Sequence, residues 1–287
     1  MKLYIVDAFT ARRFSGNQAG VALLEGDGFP EEGFMQALAA ELKHSETAFV
    51  KELGDGAYQL RYFTPEGEVE LCGHATISAF TVLREEAGLP PGIYRASTLA
   101  GELAIQVSPD AVWMDMAPPE EVRAFEGEEA AGLYAAYGLA PEDGVPGLLP
   151  RAVSTGLLDI LLPVRDQETL NRAVQNEEEV TRLSRKYGVV GVHMFCPGGE
   201  GGATAHCRNF APLYAIPEEA ATGTSNGALT YYLYRHGGLR PGEVNHFIQG
   251  EKMGKPSEVL SRLEACGDKA QVQVGGRAVV TPRAELL

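Results

Sequence analysis

The feature that most limits how this chain can fold is an internal repeat. Arg61-Tyr62-Phe63-Thr64-Pro65 resembles Arg208-Asn209-Phe210-Ala211-Pro212, and a glycine-led helix follows each. Cys72-Gly73-His74-Ala75 opens the first of these helices and Thr222-Gly223-Thr224-Ser225 the second. The segments ahead match in order too: helix then strand over Phe34 to Val50, and a longer version over Leu170 to Phe195. Any one match arises easily by chance, but the shared order of helix, strand, R-x-F-x-P strand, loop and helix indicates duplication. The 287 residues with 45% hydrophobic content suffice for two cores. The expected class is α+β, with two similar domains related by a pseudo-two-fold repeat and a cleft between them. The domains run over 1–117 and 151–287, joined by a Glu-, Ala-, Gly- and Pro-rich connector at 118–150, and the last strand is free to pack on the other half.

Local patterning fills in the elements. Strands are expected at Lys2–Phe9, Val21–Leu24, Ser45–Val50, Tyr58–Phe63, Gly92–Ala96, Glu102–Val107 and Ala111–Met116, and again at Ala152–Leu162, Val189–Phe195 and Ala203–Phe210. Helices are expected at Pro30–Lys43, where Phe34, Leu38 and Leu42 recur at four-residue steps, at Ala75–Glu86, at Glu128–Tyr137 and as one long helix over Glu168–Tyr187. Gly198–Gly202 (GGEGG) lacks the Lys-Ser/Thr of a phosphate loop and reads as a hairpin connection.

Charge and cysteines exclude several classes. The net charge is −15, with 39 acidic and 24 basic residues and no basic run, so no nucleic-acid or anionic-membrane surface is expected. The first residues lack a signal peptide's apolar region, and no apolar run reaches membrane-spanning length. Cys72, Cys196, Cys207 and Cys266 are scattered without a CxxC pair, which fits a reducing cytoplasm. Cys207 follows His206, but no second ligand pair sits at zinc spacing, so no metal is expected.

The repeat also carries chemistry. Two glycine-led helix N-termini facing one cleft would offer unpaired backbone N–H groups and the positive ends of two helix dipoles. That arrangement suits a small carboxylate. Gly73 and Gly223 would let the backbone approach it closely. Fixed donors beside a carboxylate suit proton chemistry, because they stabilise developing negative charge.

Taken together, FSGNQAGVAL, HSETAFV, RYFTPEGEVELCGHAT, RNFAP, EEAATGTSNGAL and FIQGEKMGKPS are similar to the phenazine-biosynthesis PhzF-like family, of the diaminopimelate-epimerase fold superfamily, over nearly the whole chain. The resemblance implies two β-barrel-like halves, each wrapped around a central helix beginning at Gly73 or Gly223. It implies a cofactor-independent isomerase or epimerase that moves a proton on a small carboxylate-bearing substrate, and a homodimer. Glu46 of Ser45-Glu46-Thr47 matches the family's acid/base glutamate, and His74 its G-H-A-T histidine. Glu219 stands where the family has an aspartate, and Ala220 where it has a proline. Thr224 or Ser225 matches the serine after A-T-G. These two departures bear on the substrate more than on isomerase chemistry.

Each site residue has a plainer reading. Glu46 alone reads as an exposed glutamate on an edge strand; the resemblance makes it the acid/base, which calls for a pKa raised by burial. His74 reads as a local helix-start residue, Glu219 as a first-turn acid and Asn17 as a turn residue. By resemblance His74 and Glu219 assist Glu46, while Asn17, Ser45, Gly73, Gly223, Thr224 and Ser225 hold substrate. Arg61 and Arg208 read as structural ion-pair partners. Two rival functions remain open. A two-thiol racemase or epimerase of the same superfamily needs a thiol from each half, and Cys72 is matched by Thr222, so the Cys72 thiol packs rather than reacts. A non-catalytic binding protein could also retain the fold.

Overall fold

The computed structural model describes residues 1–26, 28–198, 200–267 and 269–286. The chain divides into two compact units, Met1–Asp115 with Gly275–Leu287, and Met116–Val274. The observed class is α+β.

The first unit contains β1 (Lys2–Ala8), β2 (Asn17–Leu23), α1 (Glu32–Leu42), β3 (Glu46–Gly54), β4 (Ala57–Phe63), β5 (Glu68–Val69), α2 (Gly73–Glu86), β6 (Gly92–Thr98), β7 (Gly101–Val107) and β8 (Val112–Asp115). β1 and β2 are antiparallel, β2 and β3 parallel, and β3 and β4 antiparallel. The parallel register sets Ala19 opposite Glu46, which places the start of β3 beside the start of β2. Residues His74 through Leu83 of α2 are buried without interruption, so strands surround the helix rather than cover one face. Its buried stretch carries apolar residues interleaved with the short polar side chains of Thr76, Ser78 and Thr81, with Arg84, Glu85 and Glu86 confined to the last turn. Met35, Ala39, Phe49 and Phe63 form a second cluster where α1 lies on the outside of the sheet.

The second unit repeats the plan. Its elements are β9 (Glu120–Ala124), α3 (Gly127–Ala135), β10 (Arg151–Ser154), β11 (Leu158–Pro163), α4 (Gln167–Arg172), α5 (Glu177–Tyr187), β12 (Val192–Pro197), β13 (Ala205–Ala211), β14 (Ile216–Glu219), α6 (Gly223–Tyr232), β15 (Val244–Gln249), β16 (Ser257–Cys266) and β17 (Lys269–Gly276). In α6, Ser225 through Thr230 and Tyr232 are buried, as in α2. The last strand, β18 (Ala278–Glu285), belongs to the first unit, where it pairs antiparallel with β1.

Two sequence readings differ from the structure. The stretch 118–150 is part of the second unit: β9 pairs with β10, and Phe125, Leu133, Tyr134 and Tyr137 lie in its core. Its polar composition hides this because β9 has only exposed and half-buried residues. The single helix expected over Glu168–Tyr187 is two, broken where Ala173 turns extended, and Asn176 starts α5 by accepting a bond from the Glu179 amide at 3.1 Å. The Gly198–Gly202 stretch joins antiparallel β12 and β13, and its Gly199 lies outside the described residues.

The repeat is visible at side-chain level. Arg61 holds Glu68 through two bonds of 2.6 Å and stacks over Phe63 at 5.2 Å. Arg208 holds Glu218 through two bonds of 2.8 Å and stacks over Phe210 at 4.8 Å. Each arginine thus clamps its own strand to the short strand that leads into a central helix. Arg208 also donates to the carbonyls of Leu170 and Ala173, at 3.0 and 2.8 Å, in the segment where the helix breaks.

Candidate active site

The start of α2 is where the chemistry gathers. Cys72 takes an extended conformation (φ −141°, ψ 115°) before Gly73 and offers no side-chain cap. Thr222 does the same before Gly223 (φ −128°, ψ 102°). Each helix therefore begins without the side-chain oxygen that commonly covers first-turn amides. Thr76 fixes the first turn of α2 by donating to the Cys72 carbonyl at 2.7 Å and accepting from Tyr62 of β4 at 2.7 Å. A Cβ at Gly73 would meet only the Met114 sulfur, at an ordinary 3.8 Å. The unit's own packing therefore does not demand glycine there.

His74 is almost wholly buried and is ringed by Cys72 and by side chains from two other segments. Nε2 lies 3.2 Å from Ser45 Oγ and 3.2 Å from Glu46 Oε2, while Nδ1 lies 3.4 Å from Asn17 Nδ2 and 3.4 Å from Cys72 Sγ. Asn17 opens β2, after a loop held by the buried Asp7, which accepts from the Phe14 amide at 2.6 Å and from Gln18 at 3.0 Å. The tight return depends on Gly16, at φ 72°, where a Cβ would come within 2.2 Å of the Ala8 carbonyl oxygen. Ser45 and Glu46 arrive at the start of β3. Asn17, Ser45, Glu46, Cys72, Gly73 and His74 thus gather at the start of α2 in the first unit.

The electrostatics differ from the sequence expectation at Glu46. Burial pushes its carboxyl up, as expected, but the charge of His74 and polar neighbours outweigh burial and hold it below the usual range. Burial pushes His74 down, yet Cys72 and Glu46 together raise it well above an ordinary imidazole. The Cys72 thiol is itself pushed up to about 11, by burial and then by the Glu46 charge. A thiol that reluctant is uncharged near neutrality, so Glu46 is the charge that holds His74 protonated there. The result is a carboxylate–imidazolium pair beside a neutral thiol. Glu46 Oε2 is buried and accepts no aligned hydrogen bond, so its 3.2 Å contact with Nε2 is an ion pair with an acceptor lone pair left over.

The second unit assembles Glu219, Gly223, Thr224 and Ser225 at the start of α6. The Thr222 hydroxyl donates to Glu219 at 2.5 Å. Two residues that sequence reasoning passed over organise this end. Asp159 accepts from Ser225 at 2.5 Å and from the Gly191 amide at 3.0 Å, and burial raises its carboxyl to about 6. Gln249 accepts from the Thr222 amide at 3.2 Å and from Asn226 at 2.9 Å, and donates to the Glu219 carbonyl at 2.8 Å. Gln249 lies in the F-I-Q-G string already noticed; Asp159 sits in an apolar strand, and an acid there is the available signal.

The fold also brings together three ligand-type side chains that linear spacing does not group. Ligand atoms of Glu46, Cys72 and His74 all lie within 4.8 Å of one another. Glu46 comes to the other two from a separate strand.

A family model described as a phenazine biosynthesis-like protein (PhzC-PhzF) matches residues 6–284. The chain belongs to the PhzF family. Among relatives, an uncharacterised isomerase of Deinococcus radiodurans is 38% identical over 96% of this chain and 91% of its own. The uncharacterised isomerase YddE of Escherichia coli is 31% identical over 99% of this chain and 97% of its own. A crystal structure of a Bacillus anthracis phenazine biosynthesis protein, PhzF family, superposes with a TM-score of 0.89 at 28% identity, covering 100% of this chain and 99% of that one. A probable proline racemase of Agrobacterium radiobacter, at 14% identity and TM-score 0.66 over 100% of this chain and 92% of its own, shares the fold alone. This PhzF-family chain is, at that general level, an isomerase, and its fold is the epimerase-like one. No helix among the described residues is long and apolar enough to cross a membrane.

Proposed function

We propose that this isomerase transfers a proton between two positions of a small carboxylate-bearing substrate without a cofactor, with Glu46 as the single acid/base. The observation that carries this reading is the leftover acceptor at Glu46 Oε2, buried and 3.2 Å from the His74 ring. A carboxylate held this way can take a proton in a water-poor setting and return it elsewhere. His74 keeps Glu46 ionised before reaction, and its charge offsets the negative charge that proton removal leaves on substrate. A substrate that loosened the Glu46–His74 contact would strengthen the base, because the attraction that lowers its carboxyl is also what it must give up.

Uncapped amides at Gly73 and His74, and at Gly223 and Thr224, are the proposed carboxylate holders, with Glu219 assisting. A cleft between the halves and a homodimeric, cytoplasmic enzyme complete the proposal; the sequence repeat supports the cleft, and the family resemblance supports the dimer. The two-thiol alternative is disfavoured by a neutral Cys72 thiol and by a Thr222 hydroxyl already donated to Glu219. The test is proton exchange in deuterated water across cyclic and amino carboxylates. Wild type should label a substrate that Glu46→Gln labels at least a thousandfold more slowly, whereas Cys72→Ala should keep a tenth or more of the rate. Equal labelling by wild type and Glu46→Gln refutes the reading.

A further inference from the structure

The second unit carries a hydrogen-bond chain with a fixed direction. Gln249, fully buried on β15, accepts at Oε1 from the Thr222 amide at 3.2 Å and donates from Nε2 to the Glu219 carbonyl at 2.8 Å. A backbone amide can only donate and a carbonyl can only accept, so these two bonds settle which end of the Gln249 amide is which. Asn226 agrees: its Nδ2 donates to the Thr222 carbonyl and to Gln249 Oε1, each at 2.9 Å. Gln249 Nε2 therefore gives its second hydrogen to Thr222 Oγ1, at 3.1 Å. With that oxygen accepting, the single hydrogen of the Thr222 hydroxyl goes to Glu219 Oε2, 2.5 Å away, as a charge-assisted bond. We propose that Gln249 is a positioning residue for Glu219: by holding the Thr222 hydroxyl as a one-way donor, it fixes the Glu219 carboxylate in orientation and as an acceptor.

The first unit does without this lock, so the fold does not require it. There Thr76 stands where Asn226 does and donates to the Cys72 carbonyl, and the central helix starts without a glutamine. Carrying the parallel Gln59–Ser97 pairing of β4 and β6 on by one residue puts Thr98 at the position that Gln249 holds opposite Cys207. The Thr98 hydroxyl donates to the Gly101 carbonyl instead, at 2.9 Å. The glutamine is thus an addition to the half that carries Glu219. Being wholly buried, it makes these bonds without competition from water, whereas Glu219 itself is half-buried and needs a partner to hold its aim.

The inference rests on the assisting role proposed for Glu219, and two measurements keep the two apart. The first needs no substrate: NMR of the full-length protein, labelled at glutamate carboxyl carbons and at threonine, follows the Thr222 hydroxyl proton and its coupling across the hydrogen bond to Glu219. We expect the coupling in wild type and its loss in Gln249→Glu, whose carboxylate keeps the shape but takes the Thr222 hydrogen for itself. The second follows proton exchange in deuterated water with a carboxylate that wild type labels. Thr222→Val and Gln249→Glu should each lower kcat at least about tenfold with KM moved less than about threefold, and the double variant should be within about threefold of the slower single one, because both break one chain. Thr222→Ser, which restores the hydroxyl, should recover most of the rate lost in Thr222→Val. Gln249→Met, similar in length and without a donor, is the deciding variant if Gln249→Glu does not fold. A coupling that survives Gln249→Glu, additive losses, a change in KM rather than kcat, or Thr222→Ser as slow as Thr222→Val overturns the proposal. If wild type labels no carboxylate, the acid/base reading fails, while the hydroxyl coupling still decides whether Gln249 holds Thr222.

Discussion

Replacing Glu46 by glutamine removes one charge and little volume, and the partner that registers the loss is His74. At 3.2 Å, an effective dielectric constant of about 20 gives a coupling of about 5 kcal/mol, and solvent reaching the partly exposed carboxylate lowers it to roughly 3 kcal/mol. Either figure is at least on the order of a hundredfold in the imidazole's affinity for a proton. In wild type, His74 should stay protonated well above 6.5, the ordinary imidazole value. In Glu46→Gln, burial acts without its main opponent near neutrality, since the Cys72 thiol is then uncharged, and His74 should titrate below that value. The assay is a pH titration of the His74 ring resonances by NMR, with the other five histidines as internal references. Identical His74 titrations in the two proteins, or a wild-type titration near 6.5, would refute the ion-pair account of the site.

Other consequences are equally open to measurement. A lowered Glu46 stabilises the fold above its unfolded pKa and stops doing so as pH falls through the folded one; a raised His74 stabilises below about 6.5 and stops doing so as pH rises through its folded value. Chemical denaturation should therefore show this pair's full contribution between about pH 4.5 and 6.5, a decline on either side, and a flatter profile in Glu46→Gln. Gly16→Ala should cost roughly 2 kcal/mol or more in the same assay, through the forced left-handed backbone and the Ala8 clash, and should impair the site through Asn17. Gly73→Ala should leave the melting temperature within a few degrees yet raise the substrate KM at least tenfold; an unchanged KM would remove Gly73 from the proposed carboxylate cradle. Arg208→Ala, which strands Glu218 and two carbonyls, should cost about 3–5 kcal/mol.

The sequence carried more of the plan than of the electrostatics. The R-x-F strands and glycine-led helices were legible because each uses a local rule: an arginine over a phenylalanine two residues on, and a glycine where an extended residue becomes a helix. Glu46, Cys72 and His74 could be named singly, but their mutual distances depend on the parallel pairing of β2 with β3 and on the Tyr62–Thr76 contact, which no short window contains. Burial at Glu46 was foreseen and its sign was not, because the sign depends on a histidine 28 positions away. Asp159 and β9 were hidden for opposite reasons: one is a polar residue in an apolar strand, the other a polar strand that reads as a connector.

The return of β18 to β1 has a consequence for biosynthesis. The unit that holds Glu46, Cys72 and His74 is opened by β1 and closed by β18, with the whole of Met116–Val274 made in between. During translation the second unit has all of its chain before the first has its final strand. A prematurely terminated product would thus lack the strand that borders β1, and α2, which also packs on β18, would lose part of its enclosure. Synthesis of β18 and assembly of the candidate site are therefore coupled, so a chain that stops before β18 would be left with an unfinished first unit.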